Sequence, residues 1–264
     1  MRYFEIAPSA PLADFVQCLW YLEKDYGPPH PDGEWIFPDG TTDLVMQRQG
    51  SFFTSAGSLP ACFFVGPRRT PLLLRAPGPA AAIGIRFHPH GVYPFVRQPL
   101  DEFTESIISL HDFEGTLATL PAEQCRTLTP LAAITRLERF LQRSRSADLS
   151  EHARLHSCVQ WLRQSQGVAS IAALADTVNL STRQLERRFR QTIGVSPKQL
   201  ARIIRFDAVR DQLMLHPGVD LTALAHSAWY HDQAHFIHDF RDLAGLAPTG
   251  FSREVAAGSI RFNS

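Results

Sequence analysis

The feature that most restricts this chain is a block of residues that returns fifty positions later. Ile171, Ala172, Ala173, Leu174 and Ala175 come back as Leu221, Thr222, Ala223, Leu224 and Ala225. Ser170 and Asp220 stand just ahead of the two copies, and both are good helix N-caps. After a turn the offset becomes fifty-one: Leu185, Phe189, Arg190, Gly194 and Pro197 match Phe236, Phe240, Arg241, Gly245 and Pro248, so one residue is inserted in the second turn. Each copy reads as a short capped helix, a turn and a second capped helix, which is the layout of a helix-turn-helix. Ser181 and Asp232 are the caps expected for the second helices, and Ser181 with Gln184 forms a capping-box pattern.

Leu185 and Phe189, like Phe236 and Phe240, lie four residues apart on one face, which leaves the opposite face for a partner. In the first copy that face carries Arg183, Arg187, Arg188 and Arg190, and residues 181–205 hold seven Lys or Arg, Lys198 among them, against the single acid Glu186, a net +6. Such a face favours phosphate contact, and Arg also pairs bidentately with guanine in a major groove. The second copy has Ala234, His238 and Asp239 at the positions of Arg183, Arg187 and Arg188, and residues 206–244 carry two Arg against six Asp. Its hold on phosphate is expected to be weaker, with Gln233, His235 and His238 tuning register or specificity. Four histidines fall between His226 and His238, so mild acidification is expected to strengthen binding.

Between the copies, Ser196 caps and Pro197 opens a helix that ends at His216, Pro217 and Gly218. A helix from there to Leu215 spans about 30 Å, close to the ~34 Å between successive major grooves on one side of a duplex.

The other half of the chain has a different pattern. Residues 34–87 alternate short β-rich runs at 43–47, 51–55, 62–65, 72–75 and 82–87 with Gly, Pro and Asp-Gly turns, as in an antiparallel sandwich or small barrel. After about residue 97 the periodicity is helical. Leu131, Ile134, Leu137, Phe140 and Leu141 form one apolar face, expected either to pack on the chain's own barrel or to pair with its twin. Residues 144–148 read as a hinge. The formal net charge is zero, so any pull on nucleic acid is local. The 44% hydrophobic content suffices for two domain cores. Cys18, Cys62, Cys125 and Cys158 are scattered and read as reduced thiols, and the absence of a long apolar run predicts a cytoplasmic chain with no membrane partner.

The stretches 175–190, Gly194-Val195-Ser196-Pro197 and 232–241 resemble the two-unit DNA-binding domain of the AraC/XylS family of bacterial regulators. The resemblance covers about residues 155–254. It implies seven helices, the third and sixth entering DNA, with Thr182, Arg183, Glu186 and Arg187 as base readers in the first unit and Gln233, Ala234 and His238 in the second. Ser181, Gln184, Arg188, Arg190, Lys198, Asp232, His235 and Arg241 complete the expected DNA-binding set. The family usually has Gly in the turn of each unit, where Asn179 and Trp229 stand here. Asn tolerates a left-handed backbone and Trp fits it poorly, so either the second turn is reshaped or the second unit is strained. Phe37-Pro38-Asp39-Gly40-Thr41-Thr42-Asp43-Leu44-Val45, Phe64-Val65-Gly66-Pro67 and Gly84-Ile85-Arg86-Phe87-His88-Pro89 are similar to the small cupin-like domain found ahead of this domain in one subgroup.

The fold expected is α+β: a β-rich, cupin-like sensory or dimerisation domain over 1–120, a helical linker over 121–150 and an all-α double helix-turn-helix domain over 151–256. The expected partner is double-stranded DNA. A small-molecule effector at the N-terminal domain, RNA polymerase and a second copy are further candidates, and no cofactor is expected. Two rival classes are a cupin-like metal-dependent enzyme and an interaction module that binds acidic proteins. His88 and His90 would begin a metal site, but Pro89 and Gly91 favour two turn histidines, and His30, Asp39 and Asp43 are only guesses as further ligands. Arg86, out of phase with Ile83, Ile85 and Phe87, is expected at the surface, with a barrel interior holding an anionic ligand as the alternative.

Overall fold

The computed structural model describes residues 1–27, 33–96, 98–144, 150–230 and 232–260. Its N-terminal part is an antiparallel sheet with a helical cover, and its C-terminal part is helical, an α+β architecture. Strands β1 (Arg2–Ile6), β2 (Val16–Asp25), β3 (Glu34–Ile36), β4 (Thr42–Gln49), β5 (Phe53–Thr54), β6 (Gly57–Ser58), β7 (Cys62–Val65), β8 (Leu72–Leu74), β9 (Pro79–Phe87) and β10 (Ile107–Ser109) follow in order. Six of them pair as β1-β2-β9-β4-β7-β10, while β3-β8 and β5-β6 are separate ribbons.

The alternation of side chains sorts the sheet into two faces. Leu19, Tyr21, Leu44, Met46, Ile83, Ile85 and Phe87 point to one, where α1 (Ala122–Thr127) and α2 (Pro130–Ser144) cover them through Cys125, Ala133, Ile134, Leu137 and Leu141. Trp20, Leu22, Val45, Phe63, Val65 and Ala82 point to the other, which Phe52 helps close. Gly84 lies opposite Trp20 in the register, and a Cβ there would sit 2.1 Å from the indole ring, so only glycine fits. The apolar face of α2 is thus used within the chain; Leu131, expected on it, is 60% exposed.

Two elements depart from the expected pattern. The ten-residue β2, paired with β1 on one side and β9 on the other, precedes the individual runs read over 34–87. Residues 18–22 are buried on both faces and so show no alternation to read. The edge strand β10 lies beyond residue 97, inside the stretch expected to be helical. The expected hinge falls largely on residues 145–148, outside the described residues, as does His30.

The C-terminal part has seven helices among the described residues: α3 (Ser150–Gln164), α4 (Ile171–Thr177), α5 (Thr182–Ile193), α6 (Pro197–Leu215), α7 (Leu221–Ser227), α8 (Gln233–Ala244) and α9 (Pro248–Ala256). They form two cores. Leu155, Leu162, Leu174, Leu185, Phe189 and Leu200 gather in one, and Phe206, Val209, Leu224, Phe236, Phe240 and Phe251 in the other. The first half of α6 belongs to one core and its second half to the other. An ionic link adds to the second: Arg202 on α6 holds the buried Asp239 of α8 at 2.9 Å and Asp242 at 3.0 Å, and Arg205 approaches Asp239 at 3.7 Å.

The domains touch along several lines. Phe37 packs on Phe206 and Phe251 with ring centroids 6.4 and 5.4 Å away. Thr104 donates to the carbonyl of Gly194 at 2.6 Å. Gly194 ends α5 with φ 85°, and a Cβ there would lie 2.5 Å from Pro67. Both its left-handed backbone and the neighbouring domain therefore require glycine.

The turns inside the two units keep the same backbone. Asn179 has φ 54° and Trp229 φ 59°, so the second turn is not reshaped and a tryptophan occupies the left-handed region, 66% exposed to solvent. Trp229→Gly is expected to stabilise the chain by about 1 kcal/mol in urea unfolding, because strain is relieved and little burial is lost. Arg202→Met is expected to cost about 2 kcal/mol, since Asp239 keeps only its longer contact to Arg205. Adding Asp239→Asn to Arg202→Met should restore part of that loss; a double variant as unstable as the sum of the single variants would argue against the pair.

Candidate nucleic-acid interface

The second helix of each unit is fixed at its start by the cap the sequence supplies. Ser181 accepts from the backbone N–H of Gln184, whose side-chain oxygen accepts from the Ser181 N–H at 2.9 Å, closing the capping box. Asp232 accepts from the N–H of His235 at 2.7 Å. Ser170 and Asp220 cap the first helices, and Ser196 caps α6.

On α5, Leu185, Phe189, Thr192 and Ile193 are buried, while Thr182, Arg183, Gln184, Arg187 and Arg190 are exposed beside the half-buried Glu186. Together with Ser181, Gln191 and Asp101 of the N-terminal domain, these residues except Thr182 line an open cleft of about 580 Å³. Arg183, Arg187, Arg190 and the exposed Lys198 form no ion pair among the described residues, so their charge is available to an anionic partner.

Arg188 is not part of that free face. It is half-buried and bound to Glu151 of α3, an acid 37 residues away that the periodicity of α5 does not reveal. Arg202 and Arg205 are likewise committed to Asp239. Three of the seven cations counted in residues 181–205 are therefore spent inside the protein.

The same pairing changes the picture of the second unit. On α8, Gln233, Ala234, His235, His238 and Arg241 are exposed, together with Ile237. Asp239, which takes the position of Arg188, is only 5% exposed and points to α6. Asp207 and Asp211 pair with Arg210 at 2.6 and 2.7 Å. Much of the acidity counted against this unit is thus neutralised, and its outer face is polar rather than acidic. His235 lies 3.6 Å from Asp239 and His238 3.3 Å from Asp242, while His231 is outside the described residues. Tyr230 was not singled out by the sequence. It is buried beside the turn, with the Arg205 guanidinium 5.4 Å from its ring centre, and burial pushes its hydroxyl up to about 12.

Other expected side chains sit elsewhere. Arg86 is half-buried rather than fully exposed: it lines a small cavity of about 100 Å³ with Tyr3, Trp20, Ile36, Phe52 and Leu74. Asp43 lies 3.4 Å from it and Glu5 3.8 Å, so its charge is already met, and Asp43 holds the guanidinium above its ordinary range. Asp43 also accepts from the Trp20 indole at 2.9 Å, and Asp39 accepts from Thr41. Asp39 and Asp43, the further candidates for a metal site, are thus committed to other partners. His88 and His90 lie in a turn, as the neighbouring Pro89 and Gly91 require, and the His90 ring packs with His88 and with His152 and His156 of α3. Among the described residues no group of three or more His, Cys, Asp or Glu side chains is set to hold a metal ion, and no helix is long and apolar enough to cross a membrane.

Residues 174–254 match the family model described as a helix-turn-helix domain, and residues 4–109 match one described as a domain of unknown function (DUF6597). The HTH-type transcriptional activator RhaS of Escherichia fergusonii is 32% identical over 112 residues, 42% of this chain. The match spans only 38% of that relative's length. Among solved structures, ToxT from Vibrio cholerae aligns over 88% of this chain and 98% of its own, at 8% identity and a TM-score of 0.48. A probable AraC family transcriptional regulator from Rhodopseudomonas palustris aligns over 39% and 97%, at 21% identity and a TM-score of 0.36. The duplicated, capped units and the matched family model therefore make residues 174–254 a helix-turn-helix domain, carried behind a β-rich N-terminal domain.

Proposed function

We propose that the chain is a sequence-specific DNA-binding transcription regulator whose helices α5 and α8 enter two successive major grooves. The observation that carries this reading is the pair of capped helices with outward polar faces, joined by one helix built into both cores. The 19 residues of α6 extend roughly 28 Å, which suits adjacent grooves on one side of a duplex.

In this reading Thr182, Arg183, Glu186 and Arg187 read bases in the first block, while Arg190 and Lys198 hold phosphates. Gln233, Ala234 and His238 read the second, with Arg241 beside them. The first unit supplies most of the electrostatic affinity, because three unpaired arginines line its cleft and the second unit has Arg241 alone among the residues exposed on α8. Residues 1–120 act as the regulatory domain ahead of a linker at 121–150 and the DNA-binding domain at 151–256. The cavity around Trp20 and Arg86 is the seat for a small effector.

Selection of duplexes from a random pool by the intact protein should recover two sequence blocks about ten base pairs apart. Arg183→Ala with Arg187→Ala should relax the first block and leave the second. Each lost guanine contact should weaken binding by about 1–3 kcal/mol, and each lost phosphate contact should lower the salt slope by about 1. Weak binding by both proteins, with no sequence recovered, would overturn the reading.

A further inference from the structure

Four histidines meet where the N-terminal sheet touches the first helical unit. His88 and His90 come from the turn after β9, and His152 and His156 lie four residues apart on α3. His90 Nε2 is 3.1 Å from His156 Nδ1. Ring centroids are 4.8 Å apart for His90 and His152, 5.0 Å for His90 and His156, 6.0 Å for His88 and His90, and 6.3 Å for His152 and His156. The ring of Phe15 stacks on His152 at 4.2 Å, sealing the cluster from the N-terminal side. His90 is 2% exposed and His152 6%. Nδ1 of His90 and Nε2 of His152 are buried with no hydrogen-bond partner.

The surroundings offer little to a positive charge. The backbone of Ala13 bonds to His88 and that of Asp14 to His152. The Asp14 carboxylate, from the loop before β2, faces the cluster as its acid. Arg163 of α3 faces it as a cation, itself flanked by Asp39 and Asp207. Burial, with repulsion from neighbouring imidazoles, brings His90 down to about 2 and His152 to about 4, and burial also lowers His88.

We propose that His88, His90, His152 and His156 form an acid-released latch between the two domains: neutral, they pack together and hold the turn at 88–91 against α3; protonated, they repel one another and the contact opens. The sign follows from linkage. In the open form imidazoles take up protons near the ordinary histidine value of about 6.5, whereas in the closed form burial keeps His88, His90 and His152 neutral to lower pH. The closed form therefore keeps its full advantage above about pH 6.5 and loses it progressively as pH falls toward 4. Each buried histidine shifts the open-to-closed ratio by on the order of tenfold by about pH 5.3. The latch stands on the domain contact alone and does not depend on DNA being the ligand.

The test is amide hydrogen exchange of the full chain between pH 7.5 and 4.5, corrected for the intrinsic pH dependence of exchange and run with a chelator. Far-UV circular dichroism follows global unfolding in parallel. The wild type should lose protection at residues 88–96 and 150–164, by tenfold or more, between pH 6.5 and 5, before the helical signal changes. His88→Gln, at a half-buried position, should flatten that loss, and His90→Asn with His88→Gln should flatten it further. If the double variant does not fold at pH 7.5, the single variant decides. The proposal is overturned if wild type and His88→Gln open in parallel, or if protection in the wild type falls only with global unfolding.

Discussion

A helix has a fixed rise per residue, so a helix built into two cores sets the separation of those cores. That is the position of α6. Leu200 and Ala201 on its first half are buried against α3 and α5, and Phe206, Val209 and Leu213 on its second half are buried against α7, α8 and α9. Neither core closes without it, and the distance between the two outward helices is not free to drift. The Arg202–Asp239 pair adds rotational control, because it ties one side of α6 to one side of α8. The polar faces of α5 and α8 thus keep a defined spacing and a defined phase.

The N-terminal domain reaches the same framework at points that matter for it. Phe37 packs against Phe206 and Phe251 of the second core, and Thr104 and Pro67 meet Gly194 where α5 ends. Both units therefore touch the sheet domain, and a change in its seating is felt at each. Asp101 extends this contact into the cleft that holds Arg183, Arg187 and Arg190.

The helical half was legible because its information is local. Caps, four-residue spacing and the repeat at Ile171 and Leu221 are written within a few residues of the structures they form. The partners of the charges were not legible, since Arg188 meets Glu151 and Arg202 meets Asp239 across 37 residues of chain each. Counting charge along the sequence therefore overstated the basic face of α5 and the acidity of α8. In the sheet, residues 18–22 hid β2 because a strand buried on both sides loses its alternation, and the three residues of β10 are too few to show one. His152 and His156 carried a faint signal, their i, i+4 spacing, but nothing local joined them to His88 and His90.

The pairing of internal charges leaves a molecule with no net charge and an uneven distribution of what remains. Arg183, Arg187 and Arg190 stand together on one helix, while Asp207, Asp211, Asp239 and Asp242 are absorbed by neighbouring arginines. Such a molecule behaves as a dipole. A polyanion exerts little net attraction on it at long range but turns it, so encounters begin with α5 already facing the anion. Added salt then acts first on the orientation of the arriving molecule, by screening the torque within about a Debye length, ~8 Å at physiological ionic strength.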